Sequence, residues 1–187
     1  MIIKTKQELK DILKYEKNLY LGPTAKSRIK DRLVKYNMWM IFHFIKRLRK
    51  TEYYFYKKNN SILYEIMYLL AERQKNIMGM KLGLEIGKNS CGKGILIWHF
   101  GDIVINGDAR LGENCILHGN NCIGNDGVIG NNPIIGDNVE IGVGAKILGN
   151  VEIANNITIG AGAVVVDSFL EPGSVIAGVP ARIVNNN

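Results

Sequence analysis

INGDAR LGENCI LHGNNC IGNDGV IGNNPI IGDNVE IGVGAK ILGNVE IANNIT IGAGAV V, residues 105–165, falls into sixes without a gap. The first place of each six is aliphatic: Ile105, Leu111, Leu117, Ile123, Ile129, Ile135, Ile141, Ile147, Ile153, Ile159 and Val165. Three places on stand only Asp, Asn or Gly, from Asp108 and Asn114 to Asn156 and Gly162. These are the residues that most readily adopt positive φ. An aliphatic residue followed by a left-handed corner, repeated every six, describes a short strand and a tight turn. Three such corners close a triangular coil of about eighteen residues, and successive coils stack at roughly 4.8 Å, as in any sheet.

On that count Ile105, Ile123, Ile141 and Ile159 lie above one another, and Ala109, Gly127, Ala145 and Ala163 form a row of small residues. The architecture is a parallel β-helix. Residues 125–134 carry the turn formers Asn125-Asp126-Gly127 and Asn131-Asn132-Pro133, which favours an extruded loop that imitates the register.

Outward from the repeat, the chain changes character near residue 80. Residues 1–80 hold 18 of the 24 Lys and Arg but 7 of the 17 Asp and Glu, so the first part is strongly basic and the second mildly acidic. Glycine is divided 2 to 19 in the opposite sense. Residues 1–80 therefore form a basic α-helical region and 81–187 the β-helix, within 187 residues that suffice for one domain and an appendage. With 47% apolar and 22% charged residues, wholesale disorder is excluded. The longest apolar run, 38–45, is too short to span a bilayer, and MIIKTKQELK lacks a signal peptide's apolar core; the expected location is cytoplasmic. Three cysteines, Cys91, Cys115 and Cys122, cannot all pair and show no metal-ligand spacing, which suits reduced thiols.

In the first part the pattern predicts helices near 5–14, over about 26–57 and over about 61–77, with Gly22-Pro23-Thr24 as a break. Trp39, Phe42, Ile45 and Leu48 recur by threes beside Arg47, Arg49 and Lys50. Residues 26–58 thus admit three readings: a packing surface, contact with the inner face of an anionic membrane, or attraction of an acidic polymer. Nucleic acid ranks last because no recognisable module for it is present.

The chain resembles the hexapeptide-repeat acyltransferases, and within them the branch of the serine acetyltransferases and polysaccharide O-acetyltransferases. The resemblance is carried by GILIWHFGDIVI at 94–105, IGVGAKILG at 141–149, IGAGA at 159–163 and AGVPAR at 177–182, and covers about residues 82–184. It implies a left-handed coil, a homotrimer, and acetyl-CoA as co-substrate in a groove between subunits, with no tightly bound cofactor and no metal. By the resemblance His99 is the general base, and Lys146 and Arg182 are candidates for the nucleotide phosphates.

A hydroxyl is too weakly acidic to attack a thioester unaided, so a base beside it is needed. His99 interrupts the aliphatic series where counting back from Ile105 expects Leu or Ile, which makes it either a satisfied core group or a group aimed at substrate. His118, one coil and one residue later, should point outward near it. With Trp98, Asp102 and Glu85 it completes the acceptor candidates. Gly142, Gly144, Ala145, Gly160, Gly162 and Ala163 would let the pantetheine arm approach the backbone, and glycine-rich corners could expose N–H groups to an oxyanion.

Departures from the serine-specific pattern bear on the acceptor. That pattern has aspartate before the histidine, where Trp98 stands, and a second aspartate that falls at Leu84, beside Glu85; its Arg-His-Pro reads Asn131-Asn132-Pro133. An indole beside the base suits a sugar ring. The expected acceptor is therefore a saccharide of a capsule or other surface glycan, with L-serine as the alternative. A β-helical metalloenzyme would need three histidines around its ion, and the repeats supply only His99 and His118.

Overall fold

The computed structural model describes residues 1–186. Four α-helices precede the coil: α1 (Lys6–Tyr20), α2 (Ala25–Leu33), α3 (Asn37–Lys57) and α4 (Ile62–Leu82), with a 3₁₀ turn at Lys58–Asn60. α1 opens on a capping box in which Thr5 accepts from the Glu8 N–H and Glu8 reaches back to the Thr5 N–H. α4 starts at the Ser61 cap and stops at Gly83, whose φ of 63° ends the helix in the left-handed region.

The helices at 5–14 and 61–77 are longer than the sequence pattern implied, and the one expected over 26–57 is two. No Gly or Pro marks the break. Lys35 takes a φ of 50°, a strain of about 1–2 kcal/mol for a residue with a Cβ. The turn lets α3 lay Met38, Ile41, Phe42, Ile45 and Leu48 on the coil, whereas α2 buries no residue. Packing of a single amphipathic face outweighs the local preference for a continuous helix.

Fourteen strands follow among the described residues: β1 (Leu84–Ile86), β2 (Leu96–Ile97), β3 (Ile103–Ile105), β4 (Arg110–Leu111), β5 (Ile116–Leu117), β6 (Cys122–Gly124) and β7 (Ile134–Ile135) come first. Then come β8 (Glu140–Ile141), β9 (Lys146–Leu148), β10 (Glu152–Ile153), β11 (Thr158–Ile159), β12 (Val164–Val165), β13 (Ser174–Gly178) and β14 (Ala181–Asn186). They stack into the three faces of a prism: β1-β3-β6-β9-β12, β4-β7-β10, and β2-β5-β8-β11-β13 with β14 antiparallel at the end. All other pairings are parallel.

The aliphatic series faces inward with one exception. Ile105, Leu111, Leu117, Ile123, Ile135, Ile141, Ile147, Ile153, Ile159 and Val165 are buried, and Ile129 is 98% exposed. The series continues unbroken through a loop. Leu111 pairs with Ile135, Leu117 with Ile141 and Ile123 with Ile147, each 24 residues on, so this coil carries one extra hexad between β6 and β7. The expected stack is corrected accordingly. Ile105 and Ile123 continue to Ile147 and Val165, while Ile141 and Ile159 continue Leu117 on another face. Gly127 leaves the small-residue row for the loop, and Ala145 and Ala163 lie under Asn121 instead of Ala109. Positive φ is found at Asn114, Asn120, Asn138, Gly144, Asn156 and Gly162 of the expected corner residues, but not at Asp108, Asp126, Asn132 or Asn150.

The open top of the coil is capped by the helices. Arg49 of α3, wholly buried, donates to the carbonyls of Cys91 and Gly92 and pairs with Glu16 at 2.7 Å and Glu52 at 3.0 Å. Burial alone would lower the guanidinium pKa, but the carboxylates of Glu52 and Glu16 outweigh it and hold the charge. Tyr20 of α1 donates to the Ile95 carbonyl and accepts from the Ile97 N–H, both at 2.9 Å, closing the exposed edge of β2.

Two expectations follow. Ile129→Asp changes stability by no more than about 0.5 kcal/mol while Ile141→Asp, its partner in the repeat, yields no folded protein, since it buries an unpaired charge; equal behaviour in a urea titration would refute the loop placement. Arg49→Leu strands Glu16 and Glu52 and lowers unfolding stability by about 3–5 kcal/mol; a loss below about 1 kcal/mol would show that the clamp is dispensable.

Candidate functional site

One edge of the prism gathers the site. The chain passes from the β2-β5-β8-β11 face to the β3-β6-β9-β12 face at four successive corners. They are His99-Phe100-Gly101-Asp102, His118-Gly119-Asn120-Asn121, Gly142-Val143-Gly144-Ala145 and Gly160-Ala161-Gly162-Ala163. Backbone bonds tie each to the next: Asn120 N–H to Gly101 at 3.3 Å, Gly144 N–H to Gly119 at 2.9 Å and Gly162 N–H to Val143 at 2.8 Å. His99 thus stands at the top of an edge whose two lower steps are glycine-rich.

His99 is exposed, flanked by Trp98 at 43% and Phe100 at 46% exposure. It is therefore not a core histidine. The repeat count from Ile105 fails here because this coil has two residues more than eighteen: Ile97, not His99, takes the inward place and pairs with Leu117. The same register sets His118 below Trp98, and Gly119, not His118, below His99. His118 Nε2 lies 2.7 Å from Glu140 Oε1, both half-exposed.

Supports reach this edge from several elements. Asn37, at the start of α3, donates to the Trp98 carbonyl at 3.2 Å. Asn121, fully buried, accepts from the Gly119 N–H and donates to the Gly142 carbonyl at 2.8 Å, joining two corners. Sequence reasoning missed Phe100, Asn121, Glu140 and Tyr20. Asn121 alone left a signal, as the one polar side chain at a hexad place that from Ala109 to Ala163 otherwise holds only small or apolar residues.

The remaining candidates are dispersed. Glu85 does not join Trp98 and His118, and Asp102 closes the corner that His99 opens. They line a separate cleft of about 1140 Å³ between α4 and the β1-β3-β6 face, with Phe55, Lys75, Arg110 and Cys122. Ala145 and Ala163 are buried inside the coil, so their side chains meet no ligand. Gly142 and Gly160 are explained by stacking: a Cβ would come within 2.6 Å of the Ala161 nitrogen and 2.9 Å of the Ala177 Cβ. Gly162, at φ 67°, faces open space, and Gly144, at φ 75°, meets only Gly162 at 3.9 Å, so both remain accessible to an extended arm. Lys146 Nζ donates to the Asn120 carbonyl at 2.9 Å, and Arg182 pairs with Asp167 at 2.8 Å.

The expectation of free corner amides is corrected too. The N–H groups of Gly119, Gly142, Gly144, Gly160 and Gly162 all donate within the coil.

No curated protein matches the sequence. Residues 132–166 match the family described as bacterial transferase hexapeptide (six repeats). The fold is similar to serine acetyltransferase from Brucella abortus strain S19, with a TM-score of 0.75 and 26% identity over 97% of this chain and 70% of that one. It is similar also to the serine acetyltransferases of Neisseria gonorrhoeae (TM-score 0.71, 26% identity, 96% and 68% of the two chains) and soybean (0.70, 26%, 94% and 67%). The Brucella enzyme has been solved with coenzyme A and the soybean enzyme with serine. In repeat and coil the chain is similar to the hexapeptide-repeat acyltransferases of the serine acetyltransferase-like branch, which fits the left-handed parallel β-helix.

The thiols stand apart from this chemistry. Burial pushes the Cys91 thiol up to about 11 and the Cys115 thiol up to about 12, which leaves almost no thiolate at neutral pH. Iodoacetamide at pH 7.5 should modify the part-exposed Cys122 of the native protein and spare the other two, by mass spectrometry. Modification of native Cys115 would contradict its placement.

Proposed function

We propose that the protein transfers an acetyl group from acetyl-CoA to an acceptor hydroxyl, with His99 as general base. His99 takes the hydroxyl proton as the oxygen attacks the thioester carbonyl; the C–S bond then breaks and the imidazolium returns the proton to the departing thiolate. No covalent enzyme intermediate is needed, in keeping with the inert buried thiols. The observation that carries this reading is the shared edge, where an exposed imidazole heads a ladder of corners open at Gly144 and Gly162. A donor lying along those corners would be in line with the base, the positional requirement of a direct transfer.

L-serine is the acceptor that the comparisons favour, since the neighbours over 94–97% of the chain are serine acetyltransferases. This reverses the preference for a saccharide drawn from the sequence. The saccharide stands as the second reading because of one specific feature: two exposed aromatics, Trp98 and Phe100, bracket His99, and their apolar faces suit a pyranose ring better than a zwitterion.

A homotrimer is part of the proposal. Leu63, Ile66, Leu70, Ile77 and Met80 of α4 are 39–78% exposed and recur, with Arg73, at alternating spacings of three and four, the seam of helices that pair. Lys146 and Arg182 would exchange their present partners for the nucleotide phosphates. An intracellular site of action accords with a CoA substrate.

His99→Asn should leave assembly and CoA binding intact and lower turnover by about 10²–10⁴-fold; near-full activity in a thiol-release assay would place the base elsewhere. In the same assay with acetyl-CoA, L-serine should support release and neutral oligosaccharides should not. Turnover with an oligosaccharide alone, lost in Trp98→Asp, would establish the second reading.

A further inference from the structure

α2 and the turn after it bury none of their residues, yet carry large apolar side chains: Ile29 is 60% exposed, Leu33 77%, Val34 62% and Tyr36 50%. Ile29 and Leu33 stand four apart on one side of the helix, and Val34 and Tyr36 follow in the turn that ends it. Around them are Lys26, Arg28, Lys30, Arg32 and Lys35, against the single acid Asp31. Behind the helix lies a hollow lined by Lys17, Leu21, Arg28, Ile29, Arg32, Trp39 and His43, with three cations and no carboxylate among its lining residues. Two of these, the Trp39 indole and the His43 ring, stack with centroids 3.8 Å apart.

We propose that this face docks on an anionic bilayer, with Ile29, Leu33, Val34 and Tyr36 in the acyl boundary and a lipid phosphate in the hollow between α2 and α3. An acidic polymer would satisfy the cations but leave four apolar side chains in water. A second copy of this chain would cover the apolar residues but oppose five cations to five. A lipid interface answers both requirements at once. Arg28 lines the hollow, and its Nε is held by the Gly22 carbonyl at 2.7 Å. Arg47 from α3 adds further positive charge beside it, within range to raise the local potential. The inference does not rest on the acetyl-transfer reading, because none of the side chains assigned to the membrane face or the hollow is among those assigned to that reaction.

The test is flotation of the full chain with vesicles of phosphatidylcholine alone or with about one third phosphatidylglycerol. Wild-type protein should float with the anionic vesicles, at least tenfold more than with neutral ones, and lose binding in about 0.5 M NaCl. Ile29→Asp with Leu33→Asp should abolish flotation, and Lys30→Glu with Arg32→Glu should lower it at least tenfold, both with unchanged circular dichroism. Equal recovery on both vesicle types, or flotation unaltered in either variant, would overturn the proposal. So would a smaller assembly for the apolar variant in light scattering together with no wild-type flotation, which would assign the face to contacts between copies.

Discussion

A buried guanidinium holds this molecule together. A stack of parallel coils has two open ends, and at the upper one the carbonyls of Cys91 and Gly92 have no coil above to accept from. Arg49 satisfies both, and Glu16 and Glu52 neutralise it from α1 and α3. Two helices and the coil thereby share one charge cluster, which is stable only while every member is present. From that anchor α1 can place Tyr20 on the edge of β2, and α3 can place Asn37 on Trp98. The strand that presents His99 is therefore set by the helical region as much as by the coil.

The extruded hexad has the next largest consequence. An insertion of six residues into a six-residue repeat leaves no trace in the phase of the aliphatics. The interior registers it as a change of which face each later residue joins. Without it, Ile141 and the glycine corner behind it would follow Ile123 and leave the His99 edge. With it, Gly142 to Ala145 fall below His118 and Gly119, and the base and the open glycines come to one line.

Parts of the site were legible and parts were not. His99 could be singled out because a histidine among aliphatics is rare, although the reason it is free to act is the two extra residues of its coil, which turn it outward. Trp98 was legible as a departure from a pattern, and its exposure accords with a role at the surface. Glu140, by contrast, looks like any solvated carboxylate; only the stacking of β5 on β8 brings it to His118. Ala145 and Ala163 were assigned to ligand contact on their small size, which is equally what a crowded prism corner requires.

From the sequence alone follow the coil, its three-faced section, its inward aliphatics, the change to helices near residue 80 and a histidine worth suspecting. All of these are local, since each depends on residue types at fixed short spacing and on the preference of Asn and Gly for a left-handed corner. What only the tertiary structure decided is which hexad leaves the wall, which corners share an edge, where the long helix breaks and which charges meet. Those depend on competition between packing arrangements that are nearly equal locally and differ only in how completely the whole chain buries its apolar surface and pairs its buried polar groups.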